Sequence, residues 1–262
     1  MRRMEEQVSI IKIGGNIIEK EEELHKFLKL FSEMKGFKIL VHGGGRKASE
    51  MLGQLGIEPE MINGRRITDE STLDVVTMVY GGLVNKNIVA KLQSLGCNAL
   101  GMSGADANTI KAHKRPVAAI DYGFAGDIEA VDYKILEGLF QLGLTPIFCA
   151  LTHNKKGQLL NTNADTIASN LAVALSNIFK TTLNYCFELN GVLRDINDKT
   201  SIIKKIDSKS YESMVTEGTI ADGMLPKLQN CFEALKQGVE EVRIGNQGLF
   251  QKGKENYTRL VL

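Results

Sequence analysis

Twice within the first fifty residues, a short apolar, β-branched run stops on glycines and gives way to helical spacing. Residues 8–13 end at Gly14-Gly15, and residues 37–41 run into His42-Gly43-Gly44-Gly45. Each pattern reads as a buried strand, a tight turn and a helix; Leu24, Phe27, Leu28 and Phe31 supply the apolar face of the first helix. The alternation continues. Further strands are predicted at 98–102, 144–151, 182–189, 241–244 and 257–261. A hairpin is predicted to end at Arg65-Arg66-Ile67, and β ribbons within 109–131. Helices are predicted at 46–55, at 73–95 with a soft spot at Gly81-Gly82, and at 133–141, 166–175, 208–217 and a last one running through Gly238. This order predicts an α/β fold with a mainly parallel sheet and helices on both faces. Neither glycine turn is G-x-G-x-x-G or G-x-x-x-x-G-K-[ST], which disfavours dinucleotide-binding and P-loop folds.

Composition narrows the function by exclusion. A net charge of +1 over 262 residues gives no basic footprint for nucleic acid or an acidic membrane. No apolar run approaches the roughly 20 residues needed to span a bilayer. The N-terminus lacks an apolar signal core, so a cytoplasmic location is expected. Cys97, Cys149, Cys186 and Cys231 show no C-x-x-C spacing and are expected to be reduced. His25, His42, His113 and His153 are not at metal-ligand spacing, so no protein-held metal is expected.

Four polar features remain, with the arginine pair of the hairpin beside them. Lys12 lies one residue from the end of a buried strand, which costs free energy unless an anion meets its ammonium or its stem reaches solvent. The Gly43–Gly45 run is either a close strand-to-helix turn or a backbone cradle. Asn161, Asn163 and Asp165 point the same way in an extended segment; for that feature alone, helix capping by Asn163 or Asp165 is the favoured account. Lys227 follows Asp222-Gly223-Met224 at a helix start and is equally compatible with a surface lysine. Arg65 and Arg66 are equally compatible with solvated hairpin charges. Taken together, two lysines and two glycine turns with free N–H groups are what a transferring phosphoryl group requires. No G-x-S-x-G or Cys–His pairing offers a nucleophile instead.

In order along the chain, five motifs resemble the amino-acid kinase family and, within it, the kinases of N-acylated glutamate. They are Ile11-Lys12-Ile13-Gly14-Gly15, Val41-His42-Gly43-Gly44-Gly45, Asn63-Gly64-x-Arg66-x-Thr68, Asn161-x-Asn163-Ala164-Asp165 and Asp222-Gly223-Met224-x-x-Lys227. The match runs from about Val8 to about Gly238. It implies a three-layer αβα sandwich on one continuous sheet. Residues 1–178 would form an acylglutamate-binding lobe and residues 179–262 an ATP-binding lobe. The implied reaction is ATP-dependent phosphorylation of the γ-carboxylate of N-acetyl-L-glutamate to an acyl phosphate, in arginine biosynthesis.

Carried over by position, the resemblance implies that Lys12 and Lys227 stabilise the phosphoryl group and that Asp165 holds both ammonium groups. Gly14 and Gly15 would donate N–H groups to phosphate oxygens, and Gly44 and Gly45 would meet the acylglutamate and the γ-phosphate. Arg66 would clamp a substrate carboxylate in the bidentate mode, and Asn161 would bind the α-substituents. Glu188, Leu189, Asn190, Gly191, Val192 and Leu193, with Thr219, Ile220 and Ala221, would contact ATP. Mg²⁺ would be held by ATP phosphates and water.

Departures from the family pattern also matter. Glu188 stands where an aspartate is more usual, and residues 245–262 match poorly. Arg65 stands where an apolar or amide residue is usual, and Ala125 where valine is frequent. An extra cation and a smaller side chain near the acyl end make N-succinyl-L-glutamate the alternative substrate. Another amino-acid or carbamate kinase of the same fold is a further alternative. A non-catalytic ligand sensor is the weakest, because it has no need of both lysines and Asp165. Only about seven residues precede the first strand, too few for the helix that interlaces arginine-inhibited members of the family. An arginine-insensitive homodimer is therefore expected.

Overall fold

The computed structural model describes residues 5–62, 64–195, 197–216, 224–251 and 256–262. The chain opens with β1 (Gln7–Ile13), α1 (Gly15–Glu19), α2 (Glu21–Glu33), β2 (Phe37–His42) and α3 (Gly45–Gln54). A two-residue hairpin, β3 (Met61–Ile62) and β4 (Arg65–Arg66), leads to α4 (Glu70–Thr77). A π-helical turn (Met78–Val84) joins α4 to α5 (Asn85–Ser94). Then come β5 (Ala99–Met102), β6 (Ile110–Lys114), β7 (Gly126–Val131), α6 (Tyr133–Gln141), β8 (Thr145–Cys149), β9 (Leu151–His153), β10 (Leu159–Asn161) and α7 (Ala164–Ser176). The chain closes with β11 (Lys180–Cys186), β12 (Lys205–Ile206), α8 (Ser208–Thr216), α9 (Leu225–Lys236), β13 (Glu241–Gly245) and β14 (Thr258–Leu260).

Eight strands form one sheet in the order β12-β14-β13-β11-β1-β2-β8-β5, parallel throughout except where β14 runs against β13. Helix α7 packs on β11, β1 and β2, and α5 on β5 and β8, which is the α/β architecture the alternation predicts. The register carries the functional consequence. Ile13 of β1 lies beside both His42 of β2 and Cys186 of β11, while His42 pairs with Cys149 of β8 and Cys186 with Gly245 of β13. Five strands therefore end on one rim, and Gly14, Gly43 and Phe187 leave from it side by side. Ligands of open parallel sheets bind in the crevice beyond the carboxyl ends of the strands.

Local chemistry explains several boundaries. Asp69 caps α4 by accepting the Thr72 N–H at 2.7 Å. The C-terminus of α2 is closed by Lys38, a buried lysine of β2 whose ammonium donates to the carbonyls of Phe31, Ser32 and Met34 at 2.7, 2.9 and 2.8 Å. Three donors meet three helix-end carbonyls, so this cation is satisfied without a carboxylate.

The structure refines three expectations. The helix predicted over 73–95 is interrupted by the π-turn, which contains the Gly81-Gly82 soft spot. The strand predicted over 144–151 is two strands: β8 stays in the large sheet, and after Ala150 the chain enters a four-stranded sheet, β10-β9-β6-β7. The run 182–189 leaves the sheet after Cys186, so Phe187, Glu188 and Leu189 belong to the rim.

Candidate active site

Lys12 is the central cation of the rim. Its ammonium lies 2.8 Å from Asp165 Oδ1, with side chains only 12% and 24% exposed. The competing readings of the 161–165 segment resolve onto different residues. Asn163 caps α7, its Oδ1 accepting the N–H groups of Asp165 and Thr166 at 2.8 and 3.2 Å. That leaves the Asp165 carboxylate free to bind Lys12. The Tyr185 hydroxyl donates to the Asp165 carbonyl at 3.2 Å and fixes the same turn from β11.

Lys227 arrives from the first turn of α9. Its ammonium lies 4.6 Å from the centroid of the Phe187 ring, and that of Lys12 lies 5.3 Å from the same centroid. Two cations 215 positions apart in the chain are thus brought to one aromatic ring, which attracts both through its quadrupole. Lys227 is exposed, unlike Lys12. Phe187 was visible in the sequence only as an aromatic at a strand end, with no motif to mark it.

A cavity of about 630 Å³ opens beside this cluster, lined by Gly15, Gly45, Arg66, Phe187 and Lys227 among others. Lys12 and Asp165 are not on its lining; Lys12 reaches it through the Phe187 ring. Gly14 and Gly15 both border it, but the Gly14 N–H is engaged by the Cys186 carbonyl at 3.2 Å. Gly15 is therefore the better-placed donor of the two.

Arg66 is 5% exposed. Its Nη2 donates to the Gly45 carbonyl and to Ser49 Oγ, each at 2.8 Å, while Nε and Nη1 are buried without a partner. A buried guanidinium with two unengaged nitrogens is costly unless a ligand completes it. Both bidentate faces of a guanidinium use Nη2, so a bidentate grip would require Nη2 to leave Gly45 or Ser49. Ser49 carried no sequence signal; it lies one helical turn beyond Gly45.

Arg66, Gly45 and Met61 also border a smaller cavity of about 160 Å³, completed by Arg65, Ala125 and Asn161 among others. Asn161 donates to Thr68 Oγ1 at 3.0 Å, and Thr68 in turn donates to the Arg66 carbonyl at 2.9 Å. Arg65 is half-buried. Desolvation and then the nearby Arg115 guanidinium lower its pKa, with Asp127 acting the other way. Asp127 is paired with Arg115, whose Nε donates to it at 3.2 Å. Asp127 is thus the ion-pair partner of Arg115, and Arg65 feels that carboxylate only through its field.

On the other side of Phe187, Glu188, Leu189 and Asn190 border a cleft of about 730 Å³ with Asn16 and Asn246. Gly191 faces the inner cavity. Val192 is buried, with its N–H bound by Thr258 Oγ1 at 2.8 Å, and Leu193 bridges Ile202. These last two hold the loop and line neither cavity. Asn63, Thr219, Ile220, Ala221, Asp222 and Gly223 lie outside the described residues. Among the described residues no group of three His, Cys, Asp or Glu side chains is gathered to hold a metal ion.

The model of the amino acid kinase family matches residues 7–246. The chain belongs to that family. It is 55% identical over 242 residues to the acetylglutamate kinase of Bacteroides fragilis, covering 92% of this chain and 93% of the relative. To the acetylglutamate kinase of Parabacteroides distasonis it is 52% identical, covering 95% and 98%. Among solved structures, smu.665 from Streptococcus mutans superposes with a TM-score of 0.78 at 25% identity, over 97% of this chain and 98% of that one.

Proposed function

We propose that the protein is an ATP-dependent kinase that phosphorylates the γ-carboxylate of N-acetyl-L-glutamate, giving an acyl phosphate in arginine biosynthesis. The curated relatives carry that name, and one observation ties it to this chain. Lys12 and Lys227 approach one ring at the edge of a cavity that is also lined by a buried, incompletely bonded Arg66.

The chemistry needs little more than charge. A γ-carboxylate has an ordinary pKa near ~4.3 and is already an anion at neutral pH, so no general base is required. The obstacle is repulsion between two anions, about 4 kcal/mol for unit charges 4 Å apart at an effective dielectric of 20. Lys12, anchored by Asp165, and Lys227 place positive charge where it develops, and the Gly15 N–H adds an oriented dipole. As phosphate enters, its oxygens replace the Phe187 ring face as partners of the two ammonium groups. Arg66 takes a substrate carboxylate on Nε or Nη1, and Asn161 meets the amide end. ATP would supply the phosphoryl group, and Mg²⁺ arriving with it would offset its negative charge, with no protein carboxylate cluster required.

On this reading residues 1–178 form the acylglutamate lobe and residues 179–262 the nucleotide lobe, with ATP along Glu188, Leu189, Asn190 and Gly191. β1 and β11, adjacent in the sheet, form the seam. We further propose a cytoplasmic homodimer; exposed Met78 and Leu83 offer apolar surface for it, and light scattering at twice the chain mass tests it. Trapping the product with hydroxylamine tests the activity. Hydroxamate should form from N-acetylglutamate only with ATP, and its absence with every acylglutamate would overturn the reading.

One observation favours a second reading of the acyl group. Arg65 and Ala125 both line the small cavity, and among the described residues no carboxylate forms an ion pair with Arg65, Asp127 being paired with Arg115. An N-succinyl group would bring a carboxylate to that unbalanced charge. A preference for N-succinylglutamate in kcat/KM, lost in Arg65→Ala, supports this reading; a preference for the acetyl compound unchanged by that substitution removes it.

A further inference from the structure

The rim contains a buried histidine that the reaction as described does not use. His42, the last residue of β2, is 0% exposed. Its Nδ1 lies 2.8 Å from the Gly43 carbonyl and its Nε2 lies 3.0 Å from Asn85 Nδ2. The proton positions follow from the partners. A carbonyl only accepts, so Nδ1 carries the hydrogen. Asn85 Nδ2 also donates to the Ile147 carbonyl at 2.9 Å, which fixes the amide with its NH₂ toward the ring, so Nε2 accepts. Burial lowers the His42 pKa from 6.5 to about 4, and the ring is neutral at physiological pH.

The Gly43 carbonyl and the Gly44 N–H belong to one peptide unit. No peptide bond among the described residues is cis, so the two groups point in opposite directions. Turning the carbonyl inward to His42 turns the Gly44 N–H outward, and that N–H makes no hydrogen bond among the described residues. Gly44 itself has φ +152, and a Cβ there would lie 2.9 Å from Tyr80 Cδ1. The peptide is held by His42 on one side and by the Tyr80 ring on the other.

The π-turn supplies both supports. The Asn85 N–H bonds to the Tyr80 carbonyl, five residues back. In an α-helix, residues five apart lie about 140° apart around the axis. The i→i+5 bond instead stacks Tyr80 and Asn85 on one face, which is turned toward the Gly43–Gly45 run. This is the part played by the soft spot at Gly81-Gly82.

We propose that His42 is a positioning residue, presented with Tyr80 by the π-turn, that sets the Gly43–Gly44 peptide plane so that the Gly44 N–H faces the phosphoryl group during transfer. The inference rests on the kinase reading above. It assigns a catalytic consequence to a side chain that touches neither substrate.

Two measurements test it. Long-range ¹H–¹⁵N NMR of the wild-type protein at pH 7 should show His42 neutral with the hydrogen on Nδ1; an Nε2–H tautomer overturns the proposal without any variant having to fold. In kinetics, His42→Leu should lower kcat by about 10–100-fold, less than outright loss of an oxyanion donor. KM for ATP and for acylglutamate should stay within about twofold. His42→Asn, whose amide nitrogen replaces Nδ1, should recover most of the loss. An unchanged kcat in folded His42→Leu, a loss confined to KM, or no recovery in His42→Asn overturns the proposal. Wild-type protein inactive on every acylglutamate would instead remove the kinase reading, leaving the tautomer to judge the geometry.

Discussion

The two walls of the cavity are built differently. The inner wall carries Arg66 on its lining and is backed by strand ends, with Lys12 and His42 behind it; all three are buried or nearly so, and each has named partners. The outer wall is α9 and the loop after β11, where Lys227, Glu188 and Leu189 are exposed. Asp165 pairs Lys12, and Gly45 and Ser49 hold Arg66, so the geometry of this side exists before any ligand arrives. The outer wall can keep water around its cation until a nucleotide displaces it. A family fold that must bring two anions together thus joins a fixed pole to a solvated one.

If that contrast is right, inner-wall variants cost stability and activity together, while outer-wall variants cost activity alone. Lys12→Ala is expected to lower kcat by about 10³-fold or more. It should also lower the melting temperature, because Asp165 keeps a charge that is mostly out of water and has lost its partner. Lys227→Ala is expected to lower kcat by about 10²–10³-fold with the melting temperature unchanged, since an exposed lysine contributes little to folding. Equal thermal losses in the two variants would break the contrast.

His42 gives the inner wall a pH signature. Its folded pKa of about 4 lies below the ordinary 6.5. Between those values the unfolded chain binds a proton that the folded protein refuses, so stability falls as pH drops from about 6.5 toward 4, by about 3 kcal/mol in all. Urea unfolding at pH 7 and pH 4.5 should show a smaller acid loss in His42→Asn than in wild type. A smaller effect is expected at Arg66. Arg66→Lys should raise KM for the acylglutamate about tenfold with a lesser change in kcat, because an ammonium that keeps Gly45 and Ser49 bonded has a single N–H left for the cavity, where the guanidinium offers two further nitrogens.

The sequence showed the strand–glycine–helix alternation, and with it the parallel sheet, because burial on both faces makes strands short, apolar and β-branched. It also marked Lys12, Asp165, Lys227 and Arg66, residue types that a phosphoryl site needs. Other features left no local trace. Gly81-Gly82 signalled weakness in a helix but not an i→i+5 turn that aligns Tyr80 with Asn85. Residues 144–151 read as one apolar run because both halves are buried, although they serve different sheets. Phe187 gains its place only when β1, β11 and α9 are assembled.

Hydroxamate formation from N-acetylglutamate, followed in wild type, Lys12→Ala, Lys227→Ala and the double variant, tests most directly whether the two walls close on one phosphoryl group. Residues that act as a unit are strongly non-additive. The double variant should be no more than about tenfold slower than Lys12→Ala. A double variant slower by the full product of the two single losses would mean that the lysines act separately and that the clamp does not exist.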